Sequence, residues 1–253
     1  DKMKVNSDQE LVCGINTIKE IISIRPKSVV SLLLQKEKRG QRLTRLTSLA
    51  EENRIEIVEK TDYFFEENFH DQNHQGVAIV CNKRLEENED FIHNLLNKEN
   101  ILILVLDHLT DPHNVGACLR SAAGAGADAV IVPKNRSCHL TPIVRKISSG
   151  GSELLPFIIV TNLNRTLKKI ADSGVKIIGA AADSGINYTD IDMKGSIALV
   201  IGSEDKGIKR LTKEKCDQLA SIKMPGGIES LNASVTAGIL LFEYVRQNNN
   251  PNS

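Results

Sequence analysis

The stretch ILILVLDHLTDPHNVGACLRSAAGAGADAVIVP, residues 101–133, decides the fold of this chain. It opens with the apolar run ILILVLD (101–107) and closes with AVIVP (129–133), and a helix is predicted to begin between them at Val115. Strands that are apolar at every position are buried on both faces, as in parallel sheets that helices cover. The stretch therefore predicts a strand–helix–strand unit of an α/β fold.

Three further apolar runs extend this pattern: LPFIIV (155–160), VKIIGAA (175–181) and IALVIG (197–202). The segment 162–173, between two of these runs, has the pattern of a helix. Alternating strands and helices predict a parallel sheet, here of five or six strands, in an α/β domain that we assign to residues 100–248.

The residues before this domain predict a smaller α/β unit. Runs of β-branched residues and leucine indicate strands, and leucines at helical spacing indicate a helix. The predicted elements are strands at 28–35, 54–59 and 76–81 and a helix at 41–54. We assign this domain to residues 8–84, a linker to the charged region 85–99, and a disordered polar tail to residues 249–253.

The charge balance disfavours one broad class of function. The chain has 253 residues with 32 Lys and Arg and 32 Asp and Glu, so its formal net charge is zero. A uniformly basic nucleic-acid binder is disfavoured by this balance, whereas a local basic patch remains compatible with it. One such patch consists of Lys36, Lys38, Arg39, Arg42 and Arg45. It is either a solvated helix face or a surface that contacts phosphates.

Other features of the composition point to the cytoplasm. No apolar run reaches the roughly 18 residues of a membrane span, and residues 1–10 lack the apolar core of a signal peptide. The five cysteines form no Cys-x-x-Cys pair, which is typical of reduced thiols, and no Cys and His cluster has zinc-ligand spacing. We therefore expect a cytoplasmic protein without a membrane partner and without a metal.

Small and polar residues follow the predicted strands at three places in the second domain. They are Asn114 and Arg120, then Gly202 and Glu204, and finally Ser230 and Asn232 after a strand predicted at 221–224. Ligands of open α/β sheets bind beyond the carboxyl ends of the strands. Each place also has an ordinary interpretation, because Asn114, Ser230 and Asn232 can all cap helices.

The glycines of SAAGAGADA do not form a nicotinamide site. Gly124 and Gly126 lie at the end of the predicted helix, whereas the glycines of a dinucleotide fingerprint open one. We assign them to close packing of the helix against the sheet.

Three segments, 107–133, 199–210 and 222–247, resemble in order and spacing the signature motifs of the SpoU family of RNA ribose 2′-O-methyltransferases. Within that family the chain looks most like the branch that methylates a guanosine ribose in 23S ribosomal RNA. LVCGINTIKE (11–20) and HQGVAIV (74–80) resemble the start and end of the family's small N-terminal RNA-binding domain. The resemblance covers nearly the whole chain.

The resemblance implies features that composition and periodicity do not. It implies a parallel-sheet α/β-knot domain with a deep trefoil knot, a homodimer, and S-adenosyl-L-methionine as the methyl donor. The residues that match the family's donor site are Ala180, Ala181, Gly202, Ile222, Met224, Leu231 and Ala233. The basic patch would contact the RNA substrate, because phosphate contacts give affinity and position.

Five polar residues match the family's catalytic set: Asn114, Arg120, Glu204, Ser230 and Asn232. We expect Arg120 to hold a phosphate and to stabilise developing alkoxide charge, since its pKa above about 12 makes it a poor base. Asn114 and Ser230 would orient the ribose, Asn232 would brace the loops, and Glu204 would fix Arg120 or the methyl donor. Glu229 departs from the small polar residue that is common at its position.

Two alternatives remain open at this stage. The first is a ribose 2′-O-methyltransferase of transfer RNA from the same family, although the N-terminal domain disfavours it. The second is a non-catalytic RNA-binding or ribosome-assembly protein, which the complete set of five polar residues disfavours.

Overall fold

The computed structural model describes residues 3–84, 86–182 and 186–249. The chain divides into two compact units, residues 1–85 and 86–253. Leu85, the first residue of the predicted linker, lies outside the described residues, as does the predicted tail from 250 onward.

The first unit is a four-stranded sheet with three helices. Its elements are β1 (Gln9–Cys13), α1 (Ile15–Ile24), β2 (Val29–Gln35), α2 (Gln41–Glu52), β3 (Glu56–Lys60), α3 (Asp62–Phe69) and β4 (Val77–Asn82). The strand order is β1-β4-β2-β3, in which β2 and β3 pair in parallel and the other neighbours pair antiparallel. The three strands and the helix predicted from the sequence of this unit are confirmed to within two residues at each end.

Both faces of this small sheet are covered. Side chains alternate along a strand, so Leu32 of β2 packs with Ile18 of α1 and Leu46 of α2, whereas Leu33 packs with Phe65 of α3 on the opposite face. Two helices on one face and one on the other explain why β2 and β4 are apolar at nearly every position.

The second unit is a seven-stranded sheet in which every neighbouring pair is parallel. Its elements are α4 (Phe91–Leu96), β5 (Leu102–Asp107), α5 (Pro112–Gly124), β6 (Ala129–Pro133), α6 (Pro142–Ile147), α7 (Gly151–Leu154), β7 (Phe157–Val160), α8 (Leu163–Asp172), β8 (Lys176–Ala180), β9 (Ile186–Asn187), β10 (Ile197–Gly202), α9 (Arg210–Lys213), β11 (Gln218–Ser221) and α10 (Ala233–Asn248). The five apolar runs are confirmed as strands, and the sheet order is β7-β6-β5-β10-β8-β11-β9.

Three details of the sequence-based prediction were wrong. The sheet has seven strands rather than five or six, because the two-residue β9 is too short to give a pattern. The strand predicted at 221–224 lies earlier, at Gln218–Ser221, where polar residues interrupt the apolar run. The region 85–99 is not a plain linker, because α4 buries Ile92 and Leu95 in the core of the second unit.

The order of the last strands is unusual. β10 inserts between β5 and β8, and β11 inserts between β8 and β9, so late strands lie between earlier ones. A knot, in which the end of the chain passes through an earlier loop, requires strands interleaved in this way. The trefoil knot itself stays a prediction that rests on the family resemblance.

The end of α10 holds a preceding segment of the chain through side chains. Gln247 donates to the carbonyl oxygen of Ile191 (3.0 Å) and accepts from the backbone N–H of Met193 (2.8 Å). Asn248 donates to the carbonyl oxygen of Met193 (2.9 Å) and accepts from the N–H of Gly195 (3.0 Å). We call this set of four hydrogen bonds the C-terminal clamp.

Across the parts of the chain that the structure describes, no helix combines the length and the apolar character needed to cross a membrane. None of the five cysteines, all of which lie within the described residues, forms a disulfide. Burial raises the pKa of Cys118 to about 12, and burial together with the charges of Asp217 and Asp107 raises the pKa of Cys216 to about 12. Neither thiol is therefore available as a nucleophile at neutral pH.

Candidate functional site

A cavity of about 270 Å³ lies at the carboxyl ends of β8, β10 and β11. We call it the first cavity. All seven residues that were matched to the methyl-donor site lie on its wall: Ala180, Ala181, Gly202, Ile222, Met224, Leu231 and Ala233. The structure thus brings together residues from four separate stretches of sequence at the edge of the sheet where parallel strands bind ligands.

Short side chains create the space. Ala180 and Gly202 end β8 and β10, and Ala220 is the last residue but one of β11. Their small or absent side chains leave strand-end backbone groups at the cavity wall. A Cβ atom built on Gly202 would lie 2.1 Å from the carbonyl carbon of Gly207. The loop 203–207 folds back this tightly because Gly207 donates its N–H to the carbonyl oxygen of Ser203 (2.8 Å) with a φ of 61°.

Three of the five predicted catalytic side chains meet at the mouth of this cavity. Asn114 donates to Oε1 of Glu204 (3.1 Å), and Asn232 donates to Oδ1 of Asn114 (2.9 Å) and also to Glu204. The same carboxylate oxygen accepts the backbone N–H of Ala233 (3.2 Å) at the first residue of α10. Since α10 has no acidic residue in its own first turn, Glu204 supplies negative charge at the positive end of this helix.

The helix caps at this site were predicted in part. Asn232 is the N-cap of α10 and accepts the N–H of Ser234 (2.9 Å), as the sequence predicted. The prediction that Asn114 caps a helix beginning at Val115 was wrong. Asp111 is the cap, Pro112 occupies the first turn of α5, and the side chain of Asn114 is thereby free to reach Glu204.

The other two predicted catalytic residues occupy different places. Ser230 lines the first cavity beside Leu231 and is exposed. Arg120 is exposed on α5 and is not part of the cavity wall. Its Cα lies beside α7, since a Cβ on Gly151 would come within 3.1 Å of that atom.

Sequence reasoning did not assign nine further lining residues to the site, among them Lys206, Ile208, Lys213 and Thr236. Lys206 could have been found, because it lies two residues after Glu204 in the segment 199–210 that matches a family motif. No sequence motif marks Lys213, because it lies on the short helix α9, outside the segments that match family motifs. Only the folded chain places it at the cavity.

The five residues of the basic patch are all exposed in the first unit. Arg42 and Arg45 of α2 line a groove of about 550 Å³ together with Lys19 of α1. Lys36, Lys38 and Arg39 lie in the preceding loop. In the described ranges, no group of three or more His, Cys, Asp and Glu side chains could hold a metal ion.

We expect Glu204→Ala to lower the free energy of unfolding by about 1 kcal/mol, the usual cost of a lost N-cap. The N–H of Ala233 loses its acceptor, and Asn114 and Asn232 lose their common partner. Glu204→Gln keeps an acceptor oxygen and loses only the charge, so about 0.5 kcal/mol is expected. Urea denaturation measures both values. Asp205→Ala, one residue along the same exposed loop, is the control, and an equal loss in this control would contradict the cap role.

Two family models match the chain. One, the SpoU rRNA Methylase family, covers residues 101–242, and the other, RNA 2′-O ribose methyltransferase substrate binding, covers residues 11–86. The two matches follow the division of the chain into two units.

Individual proteins show the same similarity along the whole chain. The 23S rRNA (guanosine-2′-O-)-methyltransferase RlmB of Coxiella burnetii is 40% identical over 95% of this chain and 96% of its own length. RlmB of Pseudomonas putida is 40% identical over 95% of this chain and 98% of its own length. The SpoU methyltransferase AviRb from Streptomyces viridochromogenes, solved in complex with AdoMet, superposes with a TM-score of 0.78 at 24% identity and covers 95% of this chain and 91% of its own. From its motifs, its fold and these similarities, the chain belongs to the SpoU rRNA methylase family.

Proposed function

We propose that this protein transfers a methyl group from S-adenosyl-L-methionine to the ribose 2′-hydroxyl of a guanosine in 23S ribosomal RNA. The observation that carries the proposal is the 40% identity to RlmB proteins over 95% of the chain, which includes both units. The placement of all seven donor-site residues on one cavity wall supports it independently. Because the substrate is ribosomal RNA, we propose a cytoplasmic location.

The first cavity fits this methyl donor. Ile222 and Leu231 offer apolar surface to an adenine ring, while backbone groups at the ends of β8 and β10 can hydrogen-bond its polar edge. Glu204 and Lys206 supply both signs of charge to a zwitterionic amino-acid group. S-adenosyl-L-methionine, when bound, supplies a methyl group already activated on a sulfonium. The remaining work of the protein is to align the acceptor hydroxyl, to bind its phosphate and to let its proton leave.

The polar residues divide this work. Asn114 is held by Glu204 and Asn232, so its amide can orient the ribose from a fixed position. Ser230, on the cavity wall, orients the ribose from the other loop. Arg120 holds the phosphate next to the target and stabilises charge that develops on the 2′-oxygen. The proton passes to that phosphate or to water, because a guanidinium cannot accept it.

A homodimer would complete this arrangement. Arg120 lies one helical turn before Gly124, and Phe242 of α10 packs beside Gly124 while remaining 51% exposed. Val235 of α10 is also 49% exposed. Exposed apolar residues on the packed pair α5 and α10 mark an interaction surface. We propose that two copies of the chain pair on this surface, so that Arg120 of one protomer serves the first cavity of its partner.

We expect Arg120→Lys to lower kcat about tenfold without changing the affinity for the methyl donor. Lysine keeps the charge but loses the planar guanidinium that binds a phosphate through two hydrogen bonds. The fall in kcat should therefore be smaller than the roughly 10²–10³-fold fall that follows complete removal of a hydrogen-bond donor. Single-turnover methylation measures kcat, and calorimetry measures donor binding. Arg246→Lys at the far end of α10 is the control, and near-normal turnover of Arg120→Lys would contradict the two-bond grip.

The function is tested on ribosomal RNA from a strain that lacks this gene. This RNA and, in a parallel reaction, transfer RNA from the same strain are incubated with the protein and radiolabelled S-adenosyl-L-methionine, and 2′-O-methylation is mapped. Label at one guanosine of 23S RNA is the expected result. Label on transfer RNA alone would instead identify a transfer-RNA enzyme. Absence of label together with absence of donor binding would identify a non-catalytic RNA-binding protein.

The first unit would bind the RNA around the target. Its five basic residues are exposed on the loop before α2 and on α2 itself. Such contacts release counterions, so affinity would fall steeply with salt. Because the chain has no net charge, electrostatic attraction to RNA depends on local clusters of basic residues such as this one.

A further inference from the structure

A second cavity opens at the same edge of the large sheet. It has a volume of about 540 Å³ and lies beyond the carboxyl ends of β5, β6 and β7. From β5 the chain continues to β6 and β7 on one side, whereas β10 and β8 lie on the other side. The neighbours β5 and β10 therefore form the point where strand order reverses, which is where open α/β sheets bind ligands. His108 follows β5 and Lys209 follows the loop after β10, and both line this cavity.

The charge of the second cavity selects an anion. Its wall includes His108, Lys209 and Arg210 and, among the described residues, no Asp or Glu. Arg210 has a side chain that is 83% exposed, with one guanidinium nitrogen 3.2 Å from Glu214. Its other nitrogens can still bind a phosphate.

Amide groups add hydrogen-bonding capacity. Asn135, Asn162 and Asn164 line the second cavity. Asn135 and Asn162 are exposed. Oδ1 of Asn162 already accepts the backbone N–H of Arg165 (3.0 Å), so its NH₂ group is the part of this amide that a ligand can use. Phosphate-binding cations beside amides are the combination that nucleotides require.

His108 is held in place at a cost to the backbone. Its φ is 60°, in the left-handed region that a non-glycine residue rarely adopts. Its Nδ1 contacts Oδ1 of Asp107, a carboxylate whose side chain is fully buried. Nδ1 is the ring nitrogen with a protein partner in the described ranges, which leaves Nε2 for a ligand. Strain that is kept by a buried partner is characteristic of functional positions.

The same carboxylate joins the two cavities. Oδ2 of Asp107 accepts the backbone N–H of Lys209 (2.8 Å). The chain from Ser203 to Ile208 lines the first cavity, and the chain from Lys209 to Thr212 lines the second. One loop after β10 thus forms a wall of both cavities, so a ligand in the second cavity lies next to the site of methyl transfer.

We propose that the second cavity binds a nucleotide of the RNA substrate that flanks the target guanosine. Its phosphate is held by Lys209 and Arg210, Nε2 of His108 accepts a hydrogen bond from its ribose or base, and the exposed amides of Asn135 and Asn162 hydrogen-bond its base edge. The proposal rests on the proposed function, since it assigns part of the same RNA to a second place in the fold.

The test uses the full-length protein and an unmodified transcript of the 23S RNA region that contains the target. A plot of log affinity for RNA against log salt concentration has a negative slope. In the double variant Lys209→Ala/Arg210→Ala this slope should become less steep by about 1.4, which is about 0.7 for each lost phosphate contact. The KM for RNA should rise while kcat and the affinity for S-adenosyl-L-methionine stay unchanged. Lys168→Ala on α8, an exposed lysine paired with Asp172, is the matched control for loss of charge.

His108→Gly is the second variant. Glycine adopts a φ of 60° without strain, whereas Oδ1 of the buried Asp107 loses its partner. Thermal unfolding is therefore measured first, and activity is assayed well below the melting temperature of the variant. We expect about a tenfold rise in the KM for RNA, the size of one lost hydrogen bond. Unchanged salt slope and unchanged KM in both variants would overturn the proposal while wild-type methylation upheld the function. A wild type that leaves 23S RNA unlabelled would reject the function itself.

Discussion

Gly202→Ala is expected to weaken the binding of S-adenosyl-L-methionine about 100-fold, the upper range for a methyl group forced into a packed site. The added Cβ would lie 2.1 Å from the carbonyl carbon of Gly207 and 2.3 Å from the backbone nitrogen of Ile208. Both are backbone atoms, so no side-chain rotation can relieve the overlap. The loop after β10 must therefore move as a whole.

Movement of this loop would also displace Glu204 and the hydrogen bonds that it accepts. Glu204, which holds Asn114 and the start of α10, lies two residues after Gly202. We expect the loss of donor binding to be accompanied by a lower melting temperature. Calorimetric titration with S-adenosyl-L-methionine measures the first effect and thermal unfolding the second.

Gly226→Ala is the matched control for this prediction. Gly226 lies in the turn before Leu231, and a Cβ built on it meets no atom within 4 Å. This variant should bind the donor as the parent does. If the affinity of Gly202→Ala for S-adenosyl-L-methionine lies within a factor of three of the parent's, the prediction is contradicted. The loop would then adapt to the added methyl group, and the first cavity would not depend on the close contact between Gly202 and Gly207.

Glu153→Gln should lower the free energy of unfolding by about 3–5 kcal/mol, the cost of leaving one member of a buried ion pair without the other. The side chains of Arg145 and Glu153 are 2% and 0% exposed, and the nearest charged atoms are 4.0 Å apart. Burial lowers the pKa of Arg145, and the charge of Glu153 acts against this change. Glutamine keeps the shape but removes the opposing charge.

The matched control replaces both partners. Arg145→Met with Glu153→Leu removes the two charges together and fills the space with apolar atoms, which is often neutral or stabilising. Urea denaturation should therefore show a large loss for the single variant and a small change for the double variant. Equal losses would indicate that packing, rather than charge, makes the pair important.

The pair supports the part of the fold that carries Arg120. It joins α6 to α7, and both helices press on α5: a Cβ on Gly116 would come within 2.7 Å of Ile147, and a Cβ on Gly151 within 2.8 Å of the carbonyl oxygen of Leu119. Spacing this tight leaves α5 little freedom to shift.

The sequence predicted the large sheet well because its strands are buried on both faces and so appear as unbroken apolar runs. The sequence-based prediction was wrong for elements that are only partly buried. β11 has a partly exposed, polar sequence, QLAS, and was placed three residues too late. The helix α4 has only six residues and follows a run of acids, so the sequence of this region predicts a linker.

The site was predicted only as far as local motifs extend. Residues of the first cavity were found because family motifs mark them. The sequence predicts Asn114 as the cap of α5, whereas the cap is Asp111. Both residue types cap helices, so residue type alone does not choose between them. No local sequence motif marks the second cavity. The hydrogen bond that holds Lys209 at its wall comes from Asp107, which is 102 positions away in the sequence.

The C-terminal clamp sets a practical boundary for the protein. α10 is fastened at its first residue by Glu204 and at its last turn by Gln247 and Asn248, which hold the backbone at Met193 and Gly195. A recombinant chain trimmed before Asn248 would leave the backbone N–H of Gly195 and the carbonyl oxygen of Met193 without these partners. A shortened version of the enzyme should therefore keep the chain through Asn248.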